Sequence, residues 1–339
     1  MNVLLTCAGR RNYLVEYFKV TLKTGSQIFA ADCSSSAPAL QEADKAFLVP
    51  RIDDPAYFDV ILELCRKHEV GLLISLNDLE LPSLARIKGD FSKAGIEVVI
   101  SSPEVVDICF DKWRTFRFAS GIGVAAAKTH TNLKSACEAI DSGELAFPLV
   151  VKPRWGSASI GIDIVSDLSE LELAHKLSLL RLKRTILANV SSADHENSVL
   201  IQECLTGQEY GLDVVNDLSG NYVCTFVKKK LAMRAGETDR AEVVRDSAIE
   251  RFGKLLGKSL GHVGNLDCDV FVNEKGIFLL EMNPRFGGGY PFSHVAGANV
   301  PAAIVSWAER KEADPSWLKV REGTIAAKCD RLVLKKHFL

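Results

Sequence analysis

A chain of 339 residues has room for two or three compact units, each with its own core. Its hydrophobic content of 47% and charged content of 25% are those of an ordinary globular protein, and a net charge of −2 supplies no basic field for nucleic acid. The nine cysteines form no C-x-x-C pair, no apolar run approaches the roughly 18 residues of a membrane helix, and the start lacks the basic and apolar regions of a secretory leader. The expectation is reduced thiols in a cytoplasm, with neither membrane nor nucleic acid as partner.

Residues 2 to 8 are an apolar, β-like run ending in Gly9-Arg10-Arg11, after which Tyr13, Leu14, Tyr17 and Phe18 recur at helical spacing. Ile28 to Asp32, Leu72 to Leu76 and Glu97 to Ile100 repeat the strand, with helical segments such as Tyr57 to Lys67 between. The first hundred residues thus read as a small Rossmann-like domain with a parallel sheet. Its first turn is not G-x-G-x-x-G, so a dinucleotide-dependent oxidoreductase is poorly supported. Ligands in such sheets bind past the carboxyl ends of the strands, here Gly9, Arg10, Arg11, Asp32, Asn77, Asp78 and Glu80, although turn and cap chemistry explains such residues equally well.

From Pro103 the pattern changes. Asp107 to Ser120 reads as one helix carrying Phe110-Asp111-Lys112. Leu149 to Pro153 is a strand with Lys152 among valines, and a lysine there must reach solvent or an anion because burying its charge unpaired is expensive. A loop of small residues follows, including Gly156, Ser157, Ser159 and Gly161, whose amides and hydroxyls suit phosphate. It is not a Walker A loop, since the lysine precedes it. Ser169 to Arg184 reads as a helix, Ser191 to Ser198 as a surface loop, and Val199 to Val215 as two strands with a turn at Gly207. Lys228 to Arg240 reads as a cationic loop, Val243 to Gly257 as an amphipathic helix, and Gly323 to Leu334 as a last strand.

The most informative stretch is Asp267 to Gly289. Two apolar runs flank Asn273-Glu274-Lys275-Gly276, the signature of a β-hairpin. Side chains alternate along a strand, so a register that sets Asp269 opposite Glu281 also sets Asp267 opposite Asn283. Three carboxylates and an amide, all hard oxygen donors, then share one face. Unpaired they would raise each other's pKa and cost stability, and Mg²⁺ shared with substrate phosphates is the expected neutralising cation. Arg285 and Gly287-Gly288-Gly289 follow, the glycines allowing close backbone approach to a ligand.

The Glu281-Met-Asn-Pro-Arg285 segment, with Phe110-Asp-Lys112, Lys152 and the small-residue loop upstream, resembles the ATP-grasp superfamily, and within it one unit of the carbamoyl phosphate synthase large subunit. The resemblance runs over the whole chain. It implies a Rossmann-like domain (1–102) ahead of an ATP-grasp fold in two subdomains (103–190 and 191–339), of mixed α/β and α+β class. It implies that Lys112 and Lys152 hold phosphates, that Glu203, Cys204 and Leu205 form the edge reading adenine, and that Glu209 accepts the ribose hydroxyls. Asp269, Glu281 and Asn283 would hold Mg²⁺, with Mn²⁺ an alternative and Asp267 competing with Asp269 for the place; Arg285, Lys230 and Arg234 would act on the transferred group. The implied activity is an ATP-dependent ligase that makes an acyl phosphate from a small carboxylate for attack by an amine or other nucleophile. Carbamoyl phosphate synthase-like phosphorylation of bicarbonate or carbamate, or a non-catalytic ATP-binding regulator, are the alternatives. Length and the absence of an internal repeat depart from the synthase, as does an aspartate where it has a glutamine, while Gly287-Gly-Gly-Tyr-Pro-Phe292 looks more like a stand-alone carboxylate ligase. A homodimer through the first domain would fit the family.

Overall fold

The computed structural model describes residues 1–156 and 161–335. Strands β1 (Asn2–Thr6), β2 (Ile28–Asp32), β3 (Lys45–Leu48), β4 (Val70–Ser75) and β5 (Glu97–Val99) form a parallel sheet in the order β3-β2-β1-β4-β5. The order reverses between β1 and β4, so a crevice opens past their carboxyl ends. Two features secure its floor. Gly9, at φ +48°, donates its amide to Asp32 Oδ2 at 2.8 Å. The buried Glu80 carboxylate accepts hydroxyls from Thr6, Tyr57 and Ser75 at 2.8, 2.9 and 2.6 Å, knotting β1, β4 and the helix Tyr57–Lys67 together. Asp32 and Glu80 are therefore spent on the fold.

A four-stranded antiparallel sheet follows in the order β6-β9-β7-β8, from β6 (Thr129–His130), β7 (Leu149–Pro153), β8 (Asp163–Val165) and β9 (Val199–Glu203). The helices Leu133–Asp141 and Leu168–Leu182 supply Ala136, Ala139 and Leu171 to the core on which Leu149, Val151 and Ile201 pack. The helix expected over Asp107 to Ser120 is two helices, Pro103–Phe110 and Lys112–Gly121. Asp111 breaks it in an extended conformation, accepting the amides of Trp113 and Arg114 as an N-cap and the Arg154 guanidinium at 2.8 and 2.7 Å. Capping plus a bidentate ion pair outweighs one more helical turn.

The third sheet, ordered β14-β13-β10-β11-β12-β15, is built from β10 (Gln208–Asn216), β11 (Tyr222–Arg234), β12 (Glu237–Val244), β13 (Gly264–Asn273), β14 (Gly276–Asn283) and β15 (Thr324–Ala327). The cationic stretch from Lys228 is strand, not loop: β11 runs to Arg234 and turns at Ala235-Gly236 into β12. The amphipathic helix accordingly starts later, at Ser247, and runs to Leu260 behind the sheet. The final strand covers only Thr324–Ala327, because beyond it the chain leaves the sheet. Phe286, Tyr290, Val300 and Ile304 pack into the same core as Val3, Leu5 and Phe18, so the segment after the hairpin seats the third sheet on the first. Among the described residues no helix is long and apolar enough to cross a membrane.

Candidate active site

The hairpin β13–β14 has the expected register: Asp267 faces Asn283 and Asp269 faces Glu281, with a bulge between Asp269 and Val270. On β11, which lies across β10 from the hairpin, period-2 alternation turns Lys228 and Lys230 to this face. Lys230 Nζ lies 2.6 Å from Glu209 Oε1 and 2.7 Å from Asp269 Oδ1. Arg285 Nη1 lies 3.2 Å from Asp267 Oδ2, and its Nη2 lies 2.6 Å from Asp78 Oδ2 at the crevice of the first sheet. Lys228 is buried against Asp213, which also accepts from Ser293 Oγ at 2.5 Å and Asn265 Nδ2 at 3.2 Å.

Lys228, Lys230, Asp267, Asp269, Glu281, Asn283 and Arg285 line a polar chamber of about 90 Å³ that also takes in Arg11, Glu237, Gly288 and Gly289. Gly287 has no room for a side chain: a Cβ there would stand 2.0 Å from the Asp267 carboxyl carbon. Close approach is thus required, though by a carboxylate of this chain. Beside the chamber lies a cavity of about 290 Å³ between the second and third sheets, with apolar walls such as Val150, Ile164, Phe271 and Leu280. Lys112, Lys152, Gly156, Glu203, Cys204, Leu205, Glu209, Asp269 and Glu281 all line it. Asn283, Arg285 and Lys230 line the chamber. Arg234 does not join them; it is half-exposed at the end of β11, paired with Asp239 and Asp330. Gly161 follows the described part of the loop at φ +71°, while Ser157 and Ser159 lie outside the described residues.

Charge is distributed unevenly. Burial, then the carboxylates of Asp267 and Glu281, push Asp269 up to about 7 against the pull of Lys230, and burial also raises Asp267. Lys152 is buried and, among the described residues, has no hydrogen bond or ion pair; burial and the nearby Lys112 push it down to about 8. Lys112 is lowered by burial and donates to the carbonyl of Gly156. The side chains of Glu281 and Asn283 make no hydrogen bond among the described residues. No group of three or more His, Cys, Asp or Glu side chains is clustered as a metal site among them, which agrees with Lys230 occupying one side of Asp269. His294 stacks on Tyr17 at 3.5 Å between ring centroids and is pushed down to about 4 by burial, a structural role.

Sequence reasoning did not single out Lys228 or the Asp111–Arg154 clamp as separate elements of the site. Lys228-x-Lys230 at strand spacing is the signal for the first. Nothing local signals the second, whose partners are 43 residues apart.

The fold defines the class: a Rossmann-like domain followed by a two-subdomain ATP-grasp fold. Residues 3–99 match the family model "PylC-like, N-terminal domain", and residues 195–329 match "ATP-grasp in the biosynthetic pathway with Ter operon". The carbamoyl phosphate synthase large chain of Myxococcus xanthus is 24% identical over 270 residues, 75% of this chain and 23% of that protein. The formate-dependent phosphoribosylglycinamide formyltransferase of Thioalkalivibrio sulfidiphilus is 24% identical over 276 residues, 78% of this chain and 65% of that one. This chain therefore spans about a quarter of the synthase and just under two thirds of the formyltransferase. Among solved structures, the biotin carboxylase domain of Hydrogenobacter thermophilus 2-oxoglutarate carboxylase, a dimer with MgADP, ADP and bicarbonate, superposes with a TM-score of 0.73 at 17% identity, covering 95% of this chain and 73% of that one.

Proposed function

We propose that the protein is an ATP- and Mg²⁺-dependent ligase that activates a small-molecule carboxylate as an acyl phosphate and passes the acyl group to an amine or other nucleophile. One juxtaposition carries this reading. Lys152, a buried cation with no hydrogen bond or ion pair among the described residues and only the more distant pull of Glu281, lines the same cavity as Asp269 and Glu281, where carboxylates are in excess. A nucleotide polyphosphate with a divalent cation satisfies both sides at once. The names of the relatives agree, formate and bicarbonate being small acids of this kind.

In this reading the apolar cavity holds the base against the segment Glu203 to Leu205, and Lys112 and Lys152 hold phosphates. Asp269, Glu281 and Asn283 fit Mg²⁺ because all offer hard oxygen donors and the last two have no protein partner to give up. Bound there, Mg²⁺ would neutralise the phosphate oxygens. The acceptor carboxylate oxygen bonds to the γ-phosphorus as the bond to ADP breaks. Arg285, fixed by Asp78 and Asp267, offers its guanidinium to the transferred group without reorganisation. The nucleophile then attacks the acyl carbon and phosphate leaves. Lys230 would be freed from Asp269 to meet the phosphate, whereas Arg234 acts outside the chamber. Extending the dimer of the biotin carboxylase domain, we infer a homodimer through the first sheet's domain, which sedimentation would test.

Calorimetric titration of ATP, with and without Mg²⁺, into the wild-type chain and Glu281→Ala tests the proposal. Metal-dependent binding weakened in the variant supports it; equal binding in both, or none in either, overturns it.

A further inference from the structure

Beyond β15 the chain crosses from the third sheet to the first and walls off a cavity of about 710 Å³, whose opposite side is the crevice at Gly9 to Tyr13, Asn77 and Asp78. This cavity shares Arg11, Glu237 and Gly288 with the polar chamber, so the two are contiguous. Asp330 lies on its wall with one carboxylate oxygen on each of two guanidinium groups, 2.7 Å from Arg234 Nη1 and 3.7 Å from Arg10 Nη2. Arg234 also holds Asp239 at 2.8 Å, but Arg10 has no other carboxylate within ion-pair distance among the described residues.

The crossing segment is held mainly by ion pairs. Lys328 reaches Glu237 at 3.0 Å, and its amide donates to the Asp239 carbonyl at 2.8 Å. Arg331 reaches Glu16 at 3.3 Å and also Glu42, on the two helices of the first sheet nearest the crevice. From residue 329 to 335 there is no backbone hydrogen bond among the described residues, and Leu332 and Leu334 are 99% and 89% exposed, so that of the strap's apolar side chains only Val333 is half-buried, at the cavity wall. Exposed ion pairs contribute little each and exchange readily.

We propose that Arg10 and Arg234 form a seat for an anionic group of the substrate, remote from the carboxylate that is activated, and that Asp330 holds this seat until substrate displaces it. The inference rests on the ligase reading for its location and names the acceptor class: an acid with a second anionic group, carboxylate or phosphate. An internal carboxylate on the seat competes with any free anion, so removing it raises the affinity for one.

The test uses the full chain with succinate and inorganic phosphate as probes, titrated calorimetrically at constant ionic strength. Asp330→Asn should lower the Kd for at least one probe fivefold or more, and adding Arg10→Ala and Arg234→Ala should remove that gain. A response to succinate identifies a carboxylate seat, and a response to phosphate a phosphate seat. Unchanged affinities in Asp330→Asn, no binding by any variant, or a gain that survives loss of both arginines overturns the proposal. Mg-ATP is titrated in parallel: its failure to bind counts against the ligase reading and not against the seat.

Discussion

Arg285 Nη2 lies 2.6 Å from Asp78 Oδ2, joining residues 207 positions apart across the junction of the first and third sheets. Both side chains are buried, and Arg285 also holds Asp267. One guanidinium thus orients the chamber and ties it to the crevice where the acceptor would enter. Removing Arg285 takes the guanidinium away from both Asp78 and Asp267, so Arg285→Ala should cost about 3 kcal/mol of stability. A double-mutant cycle with Asp78→Asn should give a coupling of about 2 kcal/mol by urea unfolding. A coupling near zero would show that the two groups act independently.

Lys230 is the counter-cation of Glu209 and Asp269. Lys230→Met should therefore destabilise the ligand-free protein by about 3 kcal/mol. Mg²⁺ should restore part of that loss, which denaturant melts with and without the metal would read. If Mg²⁺ stabilises wild type and variant equally, the lysine and the metal do not share Asp269.

Asp269 sets a pH dependence whose sign is opposite to that of a salt-bridged surface aspartate. Its pKa rises from 3.8 unfolded to about 7 folded, so between those values the folded state binds more protons. Stability from this group is present at low pH and declines as pH rises through the window. Relative to Asp269→Asn, the wild-type protein should lose thermal stability between pH 5 and 7. Mg-ATP binding near pH 7 should also release a proton, seen as a heat that varies with buffer ionisation. A flat difference between the two proteins would place the folded pKa at its ordinary value.

Asn283 separates site from scaffold. Its side chain makes no hydrogen bond among the described residues, so Asn283→Ala should change the melting temperature of the ligand-free protein by no more than about 2 °C. Its Mg²⁺-dependent ATP binding should fall at least tenfold. A large drop in melting temperature would reveal a structural role.

The hairpin was legible because three local rules agree. Alternation fixes which residues share a face, the Asn273 to Gly276 turn fixes the register, and burial forbids a one-residue slip that would turn every side chain over. The parallel first sheet was legible for a similar reason, its apolar runs being separated by helical periods. The break at Asp111 was not, since apolar residues continue on both sides of it and the deciding partner is Arg154. The strand through Lys228 and Lys230 was equally hidden: three consecutive lysines read as a solvated loop until Asp213 and Asp269 arrive from other strands. Asp32 and Glu80 were read among the strand-end ligands because position alone does not reveal that their oxygens are already taken by two backbone amides and three hydroxyls.

Among the described residues the walls of the cavity between the second and third sheets are joined by the bridge from Ala126 to Leu279, the short connection from Glu203 to Gln208 and the Asp111–Arg154 clamp. A flat molecule between these walls would be held on both faces, and any parting of the two sheets would turn about these links. In the proposed ligase, release of the spent nucleotide would then depend on how far these links let the two sheets separate, away from the carboxylates.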